Sequence, residues 1–147
     1  MKKLMLASAL GLTMSLAQAQ ATPVGTWKTI DDATKTEKSV VRITESGGVL
    51  TGKIEKLLDP ATKADAVCEK CSDERKDKPI LGLTIITGVK QSANAADLWE
   101  GGQILDPNDG KVYKVRLSPT DGGKKLDVRG YIGMPMLGRT QTWLRVE

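Results

Sequence analysis

The chain has 147 residues, 39% of them apolar and 27% charged, with 22 basic and 18 acidic side chains. That is the length and balance of one globular domain, too apolar for a disordered chain and too short for two domains. Histidine is absent, which excludes Ser–His and Cys–His catalytic pairs and removes the commonest metal ligand.

The first element in chain order reads as an export signal. Lys2 and Lys3 precede a charge-free, mostly apolar run from Leu4 to Ala17, and Ala17-Gln18-Ala19 and Ala19-Gln20-Ala21 both fit small-x-small cleavage. Cleavage after Ala19 divides the chain into a leader, residues 1–19, and a single domain, residues 20–147. The fourteen-residue apolar run is shorter than the ~20 residues that span a bilayer. The first cysteine is Cys68, too late for lipid attachment beside the leader. A periplasmic or secreted protein is expected, not a lipoprotein, with no membrane span. The remaining 20 basic and 18 acidic residues lack the basic excess of a nucleic-acid binder. Residues 111–147 hold eight basic and three acidic residues, read as outward strand positions whose neighbours supply the acids.

Eight runs rich in β-branched residues follow: Val24–Ile30, Ser39–Glu45, Val49–Leu57, Leu83–Lys90, Leu98–Leu105, Lys111–Leu117, Lys124–Ile132 and Thr140–Val146. Turn chemistry separates most of them, as in Ser46-Gly47-Gly48 and Asp121-Gly122-Gly123. Val41 and Ile43 alternate with Arg42 and Thr44, and Leu126 and Val128 with Asp127 and Arg129, the period of half-buried strands. No long helical stripe occurs, although Asp59–Lys63 has the composition to open one turn of helix. The spacing predicts an all-β antiparallel meander of about eight strands closed into a barrel, which removes exposed edges; a two-sheet sandwich is the alternative.

The long irregular stretch Leu58–Leu81 carries Cys68-Glu69-Lys70-Cys71. A thioredoxin-like site would open a helix in a βαβ unit, which this chain lacks. A zinc site would need two more ligands, available only if two copies met across a dimer. A small structural disulfide suits an exported loop. The charges of Asp73, Glu74, Arg75, Lys76, Asp77 and Lys78 balance and read as a solvated surface with weak ion pairs. Asp31-Asp32, Asp73-Glu74 and Asp106 with Asp109 sit where turns need aspartate, and Asp106–Gly110 lacks the later ligands of a calcium loop. No cofactor or metal is expected.

Gly25-Thr26-Trp27 opens the first run and Trp143-Leu144-Arg145 closes the last. A glycine, two tryptophans and a late arginine so placed resemble the barrel closure of the calycins, the lipocalins and their relatives, where a cation lies over an indole. A wider resemblance spans Pro23–Asp32, Ser39–Ile43, Cys68–Cys71, Pro79–Leu83, Gly101–Pro107, Gly110–Tyr113, Val128–Gly133 and Gly138–Trp143. In these segments the chain resembles the bacterial family catalogued as domain of unknown function 2147. The resemblance implies an exported protein with a lipocalin-like barrel and carries no activity.

The segment around Gly130, Gly133 and Gly138 mixes glycine with Tyr131, Ile132, Met134, Pro135, Met136 and Leu137, an apolar rim flanked by Arg129 and Arg139. It reads as a ligand portal whose arginines hold an anionic headgroup, or as a plug for one barrel end. The leading expectation is a non-enzymatic barrel that binds a small hydrophobic or amphipathic ligand through Trp99, Arg129, Tyr131, Met134, Met136 and Arg139. Gly25, Trp27, Trp143 and Arg145 would serve as closure. The alternative is a side-chain-filled barrel that docks an envelope protein in the periplasm. An enzyme would need carboxylates or tyrosine converging in a pocket, and the spacing shows no such convergence.

Overall fold

The computed structural model describes residue 11 and residues 21–146. Apart from Gly11, the expected leader over residues 1–19 lies outside the described residues. Eight strands form: β1 (Gly25–Ile30), β2 (Glu37–Ser46), β3 (Val49–Leu57), β4 (Thr84–Gln91), β5 (Trp99–Leu105), β6 (Val112–Thr120), β7 (Lys125–Tyr131) and β8 (Arg139–Arg145). Each pairs antiparallel with its neighbour in sequence, and β8 returns to β1, so the sheet closes on itself as a barrel. The sandwich alternative is thereby excluded. Among the described residues no helix is long and apolar enough to cross a membrane.

Alternation drives this closure. Val41, Ile43, Val115, Leu117, Leu126 and Val128 turn inward and are buried, while Arg42 and Thr44 face solvent. On the outer surface opposite charges meet across neighbouring strands, as in Lys28–Glu37, Arg42–Glu55 and Arg116–Glu100. Of these, only Arg116–Glu100 belongs to the basic C-terminal segment, where a neighbouring strand was expected to supply the acid. Ser46 pairs with Val49 across Gly47 and Gly48, whose φ of 58° and 81° make the tight hairpin that the strand twist favours. The helical turn expected over Asp59–Lys63 is instead one isolated turn. Asp59 accepts from the Ala61 N–H through its carboxylate and from the Thr62 N–H through its carbonyl, a local bond set that competes with helix propagation.

The two barrel ends differ. At one end lie the β2–β3, β4–β5 and β6–β7 turns, and here Trp27, Leu50, Leu117 and Leu126 are fully buried. The Trp27 indole N–H donates to the Pro23 carbonyl at 2.7 Å. The Arg145 guanidinium lies 4.2 Å from the Trp27 ring centroid. It donates to the carbonyls of Gly123, Val24 and Thr22 at 2.5, 2.9 and 2.8 Å. One arginine thus ties the segment before β1, the β6–β7 turn and β8 over the indole. The β1–β8 register comprises Trp27↔Arg145 and Lys28↔Leu144, both at this end, whereas β7 and β8 pair over six rungs.

The β3–β4 connection packs against the barrel. Val67 and Pro79 form an isolated bridge, and Cys68 and Cys71 are bonded to each other and buried in the core cluster. The cysteine pair is therefore less solvated than the charge of its segment implies. Arg75 pairs with Asp73 at 2.5 Å and donates to the Thr84 carbonyl at 3.0 Å, anchoring the loop to β4. Gly110, with φ of 72°, lies directly against the Lys70 carbonyl, so the cysteine loop leans on the β5–β6 turn.

Substitutions at two positions test these anchors. Arg145→Ala removes three carbonyl partners and the indole contact, and a loss of about 3 kcal/mol in urea unfolding is expected. Arg145→Lys should recover less than half, because an ammonium cannot span the same carbonyls. Gly110→Ala drives a Cβ into the Lys70 carbonyl from a left-handed backbone, and should cost more than about 2 kcal/mol in the same assay.

Candidate functional site

The other end of the barrel stays open. A cavity of about 540 Å³ enters between the β1–β2, β5–β6 and β7–β8 connections and reaches Trp143. Its apolar wall comes from Ile54, Ile85, Ile104, Val128 and Trp143. Gly130 occupies the inward position of β7 after Leu126 and Val128, so β7 places no side chain there. A Cβ built on Gly130 meets only ordinary contacts, at 3.5 Å from the Tyr113 Cβ and 3.8 Å from Ile104. The hollow at this height thus comes from the glycine, with the backbone free to carry something larger.

One wall is polar. Thr29 and Ser39 share a hydroxyl–hydroxyl hydrogen bond of 2.8 Å, and the Ser39 backbone N–H also donates to Thr29 Oγ1. Beside them Gln141 accepts from the Trp143 indole N–H through Oε1, leaving its amide NH₂ toward the cavity and Asp32.

Carboxylates dominate the rim. Asp31 caps its turn through the N–H groups of Ala33 and Thr34, which hold its carboxyl below the usual range. Asp32 takes a two-pronged contact from Arg139, at 2.6 and 3.0 Å, and that donation lowers its pKa. Burial pushes the Asp106 carboxyl up, and the neighbouring charge of Asp109 adds to the rise. Tyr113 donates its hydroxyl to Asp109 at 2.6 Å, which pushes the phenol up to about 12 and keeps it protonated. The turn chemistry read from the sequence holds at Asp31, Asp106 and Asp109, each of which accepts backbone N–H bonds. The fold then brings these separate turns to one opening. Among the described residues no group of His, Cys, Asp and Glu is arranged to hold a metal.

Of the six residues expected to contact a ligand, Tyr131 and Arg139 line the cavity. Trp99 starts β5 at the filled end and is buried there. Arg129 turns away from the lining and donates to the Pro135 carbonyl and the Thr140 hydroxyl. Met134 and Met136 are 57% and 73% exposed on the β7–β8 connection, above the mouth and outside the lining. The arginine pair expected to hold an anion is thus committed elsewhere, Arg129 to that connection and Arg139 to Asp32. Thr29, Ser39, Gln141, Asp106, Asp109 and Tyr113 were not anticipated as lining. Thr29 and Ser39 were findable, because the inward register of Trp27 and of Val41 with Ile43 places a hydroxyl at the next inward position of each strand.

Comparison with known proteins decides the family. The sequence profile described as "Uncharacterized protein conserved in bacteria (DUF2147)" matches residues 25–145. The chain belongs to the DUF2147 family. The match covers all eight strands of this DUF2147 protein. Among solved structures, the barrel is similar to "Protein HP1028 from the human pathogen Helicobacter pylori belongs to the lipocalin family". The TM-score is 0.73 at 20% identity, over 87% of this chain and 85% of that one. That likeness shows a lipocalin-like fold. No curated protein matches.

The Asp32–Arg139 pair joins the β1–β2 connection to β8 beyond the last β1–β8 rung, and its effect on stability has a defined sign with pH. A carboxyl whose folded pKa is lowered stabilises the fold above its ordinary value, about 4, and loses that contribution as pH falls through the folded value. Arg139→Gln should therefore lower the unfolding free energy from urea titration at neutral pH by no more than about 1 kcal/mol, the pair being partly exposed. The difference from wild type should shrink as the solution is acidified below the ordinary aspartate range.

Proposed function

We propose that this DUF2147 protein is an exported, non-enzymatic barrel that carries a small amphipathic molecule in its open half. The observation behind this reading is the asymmetry of the core. One end is packed around Trp27, while the other keeps a cavity of about 540 Å³ with an apolar wall, a hydroxyl pair and a rim of aspartates. Cavities of this size and lining suit small ligands, with apolar burial for affinity and a few polar groups for orientation. The rim groups have structural partners, Asp109 in Tyr113 and Asp32 in Arg139, which suits holding a molecule better than transforming it. The leader expected over residues 1–19 and the Cys68–Cys71 bond are consistent with a periplasmic or secreted site of action.

The β7–β8 connection supports a second reading. Ile132, Met134, Met136 and Leu137 stand 64%, 57%, 73% and 73% exposed beside the mouth, a surface suited to docking an envelope protein. The cavity counts against the side-chain-filled form of that reading.

Filling the cavity tests the carrier. N-phenyl-1-naphthylamine, uncharged and fluorescent in apolar surroundings, should bind the wild-type protein. Gly130→Leu places a side chain in the hollow and should weaken the probe by about tenfold or more while holding or raising Tm. A wild-type protein that leaves the probe dark, or a Gly130→Leu protein that binds it equally well, would overturn the carrier reading.

A further inference from the structure

We infer that the cavity selects an amphiphile whose polar end is a protonated amine and discriminates against one that ends in a carboxylate; this rests on the carrier reading above. The charge around the mouth carries the argument. Asp31, Asp32, Asp106 and Asp109 line the opening, with Lys38 and Arg139 as the cations among the lining residues. Both cations are already engaged. Arg139 spends its fork on Asp32, and the Lys38 ammonium sits 2.6 Å from Asp59. Asp31, Asp106 and Asp109 accept hydrogen bonds from neutral donors, namely backbone N–H groups, the Thr34 and Asn108 side chains and the Tyr113 hydroxyl, while Lys38 acts on Asp31 and Arg139 on Asp106 through charge alone, across a longer gap. A carboxylate entering this ring would meet like charge with no uncommitted cation among the lining residues to receive it.

Asp106 sharpens the point. It is desolvated beside a second carboxylate, and both effects disfavour its ionised form in the empty protein. An ammonium placed between Asp106 and Asp109 would offset that cost, so binding energy is available to a cation there and withheld from an anion.

A second observation lies deeper and is independent of the rim. Thr29 and Ser39 are only 6% and 8% exposed and line the cavity. They own two hydroxyl hydrogens, and their mutual bond uses one. Whichever residue donates, the other hydroxyl hydrogen is left on the cavity wall without a protein acceptor among the hydrogen bonds of the described residues. In the open cavity water can accept from that hydroxyl, and a ligand that displaces the water must supply an acceptor atom in its place or lose a hydrogen bond. The cavity therefore asks for an acceptor atom within the body of the ligand as well as a cation at its end, which marks it as a site for a polar amphiphile rather than a bare hydrocarbon.

The test uses three chains of equal length on the intact protein, decylamine, decanol and decanoate, each displacing N-phenyl-1-naphthylamine at neutral pH. Decylamine should displace at the lowest concentration and decanoate at the highest, about tenfold apart or more. In Asp106→Asn and in Asp109→Asn the ratio of amine to alcohol affinity should fall toward one. Should either variant fail to fold, added sodium chloride reports on the wild type instead, because an exposed charge contact must weaken with salt while decanol stays constant. Decanoate competing as well as decylamine, or a preference that ignores both substitution and salt, would overturn the inference while leaving the carrier reading intact. Failure of decanol and the probe to bind at all would remove the carrier reading, and this inference with it.

Discussion

Closure of the sheet on itself at the Trp27 end is the constraint from which the rest of the molecule follows. A meander of eight strands has two free edges, and here they meet over the two rungs Trp27↔Arg145 and Lys28↔Leu144. Such a short seam is held because Arg145 reaches three backbone carbonyls while lying over the indole that plugs the barrel. Directional hydrogen bonds and a buried ring act at one point, and the pairing of every other strand is continuous with it. The opposite end of the seam has no such clamp. There the β1–β2 connection and β8 are joined through the side chains of Asp32 and Arg139.

This inequality separates stability from function. Bulky inward residues, Trp27, Leu50, Leu117 and Leu126, fill the clamped half. In the other half several inward positions are instead small or polar, Gly130, Ser39, Thr29 and Gln141, opposite an apolar wall that includes Ile54, Ile85 and Trp143. Each is a position where packing was forgone, and together they leave a hollow with one polar wall. The acidic rim has a similar origin. Asp31, Asp106 and Asp109 each serve a tight turn, and the strand connections at that end gather the turns around one mouth. Local turn chemistry and a collective electrostatic property are thus made from the same side chains.

Much of the barrel was legible because its period is local. All eight runs located from β-branched content and turn residues became strands, with no edge moved by more than three residues. The lone helical turn over Asp59–Lys63 was misread because an aspartate followed by proline signals a cap as readily as a helix start. The candidate site was legible only in part. Tyr131 and Arg139 reach the cavity. The sign of the charge at the mouth was not readable, since Asp32 and Arg139 are 107 positions apart and meet only through closure. Trp99 and Arg129 show the limit from the other side. Residue type points to ligand contact, and strand direction decides which end or face receives the side chain.

Alternation and turn residues by themselves determined an all-β meander and its strands to within three residues; the terminal G-x-W and Trp-x-Arg pairs marked Trp27 and Arg145 as closing residues but misplaced Trp143, which lines the cavity; and resemblance along nearly the whole chain gave the family. These depend on interactions within a few positions or on a pattern repeated along the chain. Whether the barrel is filled or hollow, which end is open, and what charge guards the opening were decided by the tertiary structure alone. Those properties are set by strand stagger and by the meeting of distant turns, and neither leaves a signature in any single stretch of sequence.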